Sequence, residues 1–264
     1  MSLIQDLLDE NQALDAFVSG LSEAQWREPT VFFGWSTFDE IMHLIYVDRF
    51  ALVSIVDPPR FAEMREAQRQ AVMAGTEMSV LTRQEFGELG KQALLAFWRG
   101  QYRELIAQMS TRPLDGRIAW FGPDMGIGSM VAARQMEVWA HGQDIYDLFR
   151  QKRAPAARLR NICDLGVRTY GWSFANRQLP RPGPAPRVSL TAPDGSVWSW
   201  NDDADDSVTG PAEDFAMIVT QRRNVLDTRI ICQGETALRW MAIAQCFAGP
   251  PADPPDAGVR PSQN

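Results

Sequence analysis

The sequence predicts an α+β chain, a four-helix bundle followed by a small α+β domain. Two observations carry that prediction. Before residue 150, long segments poor in proline repeat apolar residues at three- and four-residue spacing, the period of a helix with one buried face. After residue 186 the period changes to alternation, in Arg187-Val-Ser-Leu-Thr-Ala192 and Ser196-Val-Trp-Ser-Trp200 around Asp194-Gly195, the pattern of a hairpin. A charged stretch ending at Pro155 separates the two patterns. The expected division is a bundle over 1–150, an α+β domain over 155–250 and a proline-rich, disordered tail over 251–264.

Each element has its own signal. Leu3, Leu7, Leu14, Phe17 and Leu21 give a first helix over 3–21, with Ser2 as its cap. The loop 25–34 holds Trp26, Pro29, Phe32 and Phe33, which pack across the bundle end. A second helix over 36–56 starts at Ser36, an N-cap, with Asp39 in the first turn where the helix dipole favours a negative charge. Asp57-Pro58-Pro59 stops it. A short polar helix over 61–73 and a turn over 75–80 follow. Thr82 and Glu85 have the spacing of a capping box, predicting a third long helix that ends near Ser110. After a loop over 113–129, the proline-free segment 129–149 is the fourth. In the second domain the expected order is a helix over 156–178, the hairpin, a helix over 211–220, a strand over 228–232 and a helix over 236–248. The four aspartates within 201–206 lack the glycine and distal glutamate of a calcium loop and are expected in a solvated turn.

The chain has two histidines, and both fall on bundle helices. Glu137 and His141 are four residues apart, so a carboxylate and an imidazole point the same way. Arg134 and Asp144 share their stripe, flanked by Val131, Val138, Ile145 and Phe149. On the second helix Asp39, His43, Val47 and Phe50 share one face. Brought together, the two helices offer two histidines and one carboxylate, a set that holds a divalent metal with open positions. The same spacing also describes a local ion pair and two core histidines.

Gly34-Trp35-Ser36, Asp39 and His43-Leu44, followed far along the chain by Glu137-x-x-x-His141, resemble the DinB-like four-helix metalloproteins. Within them the pattern is most similar to the metal-binding domain of mycothiol-dependent maleylpyruvate isomerases, in an uncharacterised two-domain branch. Trp120-Phe-Gly-Pro123, Trp139-Ala-His-Gly-Gln-Asp144, Val219-Thr-Gln-Arg-Arg223 and Ile243-Ala-Gln-Cys-Phe-Ala-Gly-Pro250 extend the resemblance to about residue 250. It implies a DinB-like bundle, a sterol-carrier-like C-terminal domain and a divalent metal on His43, Glu137 and His141, usually zinc, with nickel, iron or manganese as alternatives. It also implies a low-molecular-weight thiol such as mycothiol or glutathione, and an arginine of the second domain, here Arg222 or Arg223, directed at substrate.

Around that centre, Tyr46 is a candidate proton donor, and Asp144 is a candidate catalytic group that either orients His141 or pairs with Arg134. Asp39 either orients His43 or simply serves the helix start. Arg83 and Trp120 join Arg222 and Arg223 as candidate substrate contacts. The expected activity is metal-dependent isomerisation or S-transfer, in which an activated thiol attacks an electrophilic small molecule. Hydrolysis, iron(II) oxygenation and a non-enzymatic metal- and apolar-ligand-binding protein are the alternatives.

Composition narrows the class further. A net charge of −7 argues against a nucleic-acid partner, which needs a basic face. No apolar run is long enough to span a bilayer. The acidic N-terminus is unlike a signal peptide, and three scattered cysteines without a Cys-x-x-Cys fit a reducing cytoplasm. No glycine-rich nucleotide loop is present, and oligomerisation is left open.

Overall fold

The computed structural model describes residues 2–122 and 124–260. It divides into two compact units at Phe149/Arg150. The first is built on four long helices, α1 (Leu3–Gly20), α2 (Thr37–Val56), α5 (Lys91–Ser110) and α6 (Ile127–Leu148). Two shorter ones, α3 (Pro58–Met73) and α4 (Met78–Phe86), lie between α2 and α5 in the chain. Among the four long helices the packed pairs are α2 with α5, α1 with α6, α1 with α5 and α2 with α6. The bundle is therefore a square with α1 opposite α2, and α6 lies beside α2. The core fills with residues from every long helix, including Leu14, Ile41, Trp98 and Val138.

Local chemistry explains the ends. Ser36 caps α2 with a full capping box: its hydroxyl accepts from the Asp39 amide, while Asp39 Oδ2 accepts from the Ser36 amide at 2.9 Å. The two prolines expected to stop α2 do so and also open α3, since proline fits the first helical turn, where Asp57 accepts from the Arg60 amide. The third long helix is shorter than its sequence suggests. Thr82 lies inside α4, its hydroxyl donating to Ser79 O, so it caps nothing. The chain breaks between α4 and α5, where a side-chain carbon at Gly87 would collide with the Arg83 carbonyl, and Gly90 stands as the N-cap of α5. Before α6 the chain makes a small hairpin, β1 (Arg117–Ile118) with β2 (Met125–Gly126).

The second unit holds a four-stranded mixed sheet. Its strands β3 (Arg187–Thr191) and β4 (Val197–Trp200) form the expected hairpin, with Val188 opposite Trp200. β5 (Ser207–Pro211), absent from the sequence prediction, runs parallel to β3 on its other side. β6 (Ile231–Gln233) closes the order β4-β3-β5-β6. The helix expected over 156–178 is split into α7 (Arg160–Arg168) and α8 (Tyr170–Ala175), where Thr169 donates its hydroxyl to Leu165 O. α9 (Ala212–Val219) packs on β3, β5 and α7. The last helix, α10 (Glu235–Met241), ends well before 248.

Two expectations are corrected here. The aspartate run is not wholly solvated, because Asp206 Oδ2 accepts from the Thr236 amide at 2.7 Å and so caps α10 from a distance. The expected disordered tail is tethered: Ala252 O accepts from Gln221, Asp253 pairs with Arg177, and the Gly258 amide donates to Asp227. Residues 261–264 of that tail lie outside the described residues. Among the described residues no helix is long and apolar enough to cross a membrane.

Candidate metal centre

α2 and α6 run antiparallel along one seam of the bundle, and the polar side chains of the two helices meet there in order. Glu40 of α2 faces His141 of α6, His43 faces Glu137, and Asp48 faces Arg134. In an otherwise apolar core these groups have one another as partners, as buried polar atoms require.

The central group is His43, Glu137 and His141. Glu137 Oε2 lies 3.5 Å from His43 Nε2 and 3.2 Å from His141 Nε2, and the imidazole centroids are 4.4 Å apart. The ligand atoms of all three lie within 4.8 Å of one another. Zinc binds nitrogen and carboxylate oxygen at about 2.0–2.2 Å, so two ligands at a near-tetrahedral angle stand about 3.4 Å apart. The observed separations fit that spacing. One edge is accessible, since the side chains of His43 and Glu137 retain 13% and 20% exposure while His141 retains 6%. Burial alone would raise the Glu137 carboxyl, but His141, His43 and Arg134 outweigh it and hold the group well below the usual carboxylate range.

The two imidazoles are supported differently. His141 Nδ1 is 2.6 Å from Glu40 Oε2, a residue that is fully buried on α2. A carboxylate there accepts a hydrogen bond from Nδ1–H, which keeps the proton on that nitrogen and leaves the Nε2 lone pair for the ion position, as for most metal-ligating histidines. His43 Nδ1 is buried with no hydrogen-bond partner among the described residues. Trp35 lies against both rings, its centroid 5.3 Å from His43 and 5.9 Å from His141 in a stacked geometry, and Phe32 meets His141 edge-on at 5.4 Å. These aromatic side chains cover the imidazoles and exclude water from one side.

Several residues expected at the site have other places. Asp39 does not orient His43: its Oδ1 accepts from Arg83 Nε at 2.6 Å and its Oδ2 closes the α2 cap, the helix-start alternative. Arg83 is thereby tied to the start of α2. Arg134 pairs with Asp48 at 2.7 Å, with both side chains almost fully buried, rather than with Asp144. Asp144 is 1% exposed, with its carboxylate within 4.8 Å of the ligand atoms of Glu40 and His141. Tyr46 lies one turn beyond His43 but lines a separate cleft with Arg49 and Phe50, and burial pushes its hydroxyl pKa up. Trp120 stacks on Phe61 and gives its carbonyl to Arg65, within an aromatic cluster with Phe50 and Phe121. Arg222 and Arg223 belong to the second unit, where both are buried just past α9 and donate to Thr220 O and Arg222 O.

Sequence reasoning missed Glu40, Asp48, Phe32 and Trp35 as parts of the site. Glu40 and Asp48 carried a usable signal, since each is an acid on an apolar helix near His43. Trp35 sits in the Gly34-Trp35-Ser36 motif, which pointed to the family without giving the ring a role.

A helical bundle with two histidines and a glutamate gathered at one seam, joined to a small α+β unit, defines the class of protein. The model of the mycothiol maleylpyruvate isomerase N-terminal domain matches residues 7–146, and the chain belongs to that family. Two uncharacterised proteins of Mycobacterium tuberculosis, from strains H37Rv and CDC 1551, are each 41% identical over 249 residues, covering 94% of this chain and 96% of each relative. Among solved structures, the crystal structure of the mycothiol-dependent maleylpyruvate isomerase is similar with a TM-score of 0.53 and 14% identity. The match covers 84% of this chain and 90% of that one. A histidine-to-alanine variant of that enzyme matches with a TM-score of 0.54 over the same shares. At this identity the likeness speaks to the fold.

Proposed function

We propose that the chain is a metal-dependent, thiol-using enzyme of the isomerase or S-transferase type, with a divalent ion, zinc in the first instance, held by His43, Glu137 and His141. The observation that carries this reading is the convergence of two imidazole nitrogens and one carboxylate oxygen at ligand spacing, open along one edge. Three protein ligands and an open edge suit a catalytic ion better than a structural one, which is normally closed by four. A bound divalent ion supplies Lewis acidity and lowers the pKa of a coordinated thiol.

The residues of this chain supply the rest. Glu40 fixes the His141 tautomer, and the Asp48–Arg134 pair holds α6 against α2 so that Glu137 reaches both histidines. Trp35 and Phe32 shield the rings and lower the local dielectric, which strengthens the field of the site. In isomerisation the sulfur adds to an activated carbon–carbon double bond and leaves again after rotation. In S-transfer it stays attached, with a proton delivered to the neighbouring carbon.

Metal analysis of the purified protein, alongside His43→Ala and Glu137→Ala, tests the centre. About one ion per chain in wild type and loss from both variants is expected. A low-molecular-weight thiol with activated alkenes or epoxides then tests the reaction. An enzyme that takes up no metal on reconstitution, or shows no metal-dependent thiol consumption with any such electrophile, overturns the reading.

A further inference from the structure

α9 ends at Val219, and Gln221 follows in a left-handed conformation, φ 56°. The Gln221 amide donates to Ile218 O and the Arg222 amide to Met217 O, closing bonds of a helix end for which glycine is the usual residue. A glutamine at that place carries backbone strain that glycine avoids, and its side chain has a use. Gln221 is buried, and its Nε2 donates to Ala244 O at 3.2 Å and to Ala252 O at 2.6 Å.

The second carbonyl belongs to the proline-rich segment at the end of the chain. Three contacts run in step along it. Gln221 donates to Ala252 O, Asn224 Nδ2 to Pro255 O at 2.9 Å, and the Gly258 amide to Asp227 at 2.9 Å, each between residues 31 apart. Three residues make one turn of the extended helix that proline-rich chains adopt, which sets the Ala252 and Pro255 carbonyls on one side of the strap. Arg177 with Asp253, and the Ala252 amide with Gln245 Oε1 at 3.1 Å, add to the attachment. Within 250–259, Ala252, Pro254 and Pro255 are half-buried and the rest is exposed. A segment held by polar contacts at the surface opens at far lower cost than the core. Between the first two contacts stand Arg222 and Arg223, 4% and 3% exposed.

We infer that residues 250–258 form a latch, closed along the segment that carries Arg222 and Arg223, with the Gln221 and Asn224 amides as its catches. Closed, it holds the two guanidiniums in place; open, it lets them follow an anionic group. The inference is independent of the proposed reaction and of a metal at the triad.

Hydrogen exchange of the full chain, read by mass spectrometry on local peptides, tests it. Pro254→Gly with Pro255→Gly keeps every carbonyl of the strap and makes the released strap more flexible, which shifts the latch toward open. Exchange in the strap should rise about tenfold, and exchange over 222–228 should rise with it, while the body of α9 and the unfolding temperature stay as in wild type. Gln221→Gly removes one catch but leaves the body of α9 protected, because glycine takes the left-handed turn without cost. Its strap should also exchange faster, and Asn224→Asp, which keeps the acceptor for the Leu226 amide and loses the donor to Pro255 O, should do the same. Loosening of the strap alone, with 222–228 as protected as in wild type, overturns the latch. So does a strap that Gln221→Gly and Asn224→Asp leave unchanged.

Discussion

Replacing Glu40 by glutamine isolates one interaction at the candidate metal centre. The amide has the shape of the carboxylate, so the fully buried position on α2 is still filled and the change is mainly one of charge. What is lost is the anionic acceptor 2.6 Å from His141 Nδ1. A neutral amide can accept that proton, but it raises the basicity of Nε2 less and can turn its NH₂ to the ring instead. Outer carboxylates of this kind change metal affinity by about 10–100-fold, or about 1.4–2.7 kcal/mol. Competition for zinc against a chromophoric chelator reads the constant directly, and a loss in that range is expected. Asp39→Asn is the matched control. Asp39 is also a buried acid of α2 near a histidine, but it is bound to Arg83 and Ser36, so its replacement lowers stability and leaves zinc affinity within about twofold. An unchanged zinc constant in Glu40→Gln, or an equal loss in Asp39→Asn, refutes the assignment of Glu40 as the group that prepares His141.

The remaining predictions concern the seam and the bundle. Arg134→Met leaves Asp48 buried without its partner and should cost about 3–5 kcal/mol in denaturant unfolding, much of it restored when Asp48→Leu is added. At free zinc about 100 times its dissociation constant, binding adds about 2.7 kcal/mol, which raises the unfolding temperature of a unit this size by about 5–10 °C. A chelator removes that rise in wild type, and His141→Ala never shows it. Burial alone would raise the Asp39 carboxyl, but Arg83 and Ser36 hold it below its ordinary value of 3.8. Its contribution is therefore complete above about pH 4 and disappears as pH falls through the lowered pKa. Arg83→Ala should flatten the acid limb of the stability profile by less than about 1 kcal/mol, because the Arg83 side chain is half in solvent. An acid limb identical to that of wild type would refute the link.

How much of this was legible in the sequence depends on whether a contact is local. Glu137 and His141 are four residues apart on one helix, and Ser36 and Asp39 three apart at a helix start, so helical geometry alone places both pairs. The partners of Arg134 and His141 could not be found that way. Stripe reasoning offered Asp144 to each because it lies on the same helix, whereas Asp48, bound to Arg134, and Glu40, at His141 Nδ1, come from α2, far away in the chain. The break at 87–90 was hidden because the apolar spacing continues through it while the two glycines end one helix and start the next. β5 was missed because its run, Ser207-Val-Thr-Gly-Pro211, is short and follows the aspartates, and it gains its partner only when β3 lies beside it.

The antiparallel series of pairs along α2 and α6 also acts as a ruler. Apolar side chains pack nearly as well after a helix slides by one turn, about 5.4 Å, so an all-leucine seam would tolerate several alignments. Here a one-turn slide in one sense sets Asp48 against Glu137 in place of Arg134, and in the other sets Glu40 against Glu137 in place of His141. Either displacement opposes carboxylates in a buried place, where like charges are most costly. The alignment that keeps Glu137 away from both acids of α2 is the one that brings it to the two histidines. The charges that prepare the centre thus also select, from the alignments open to two greasy cylinders, the one in which the centre exists.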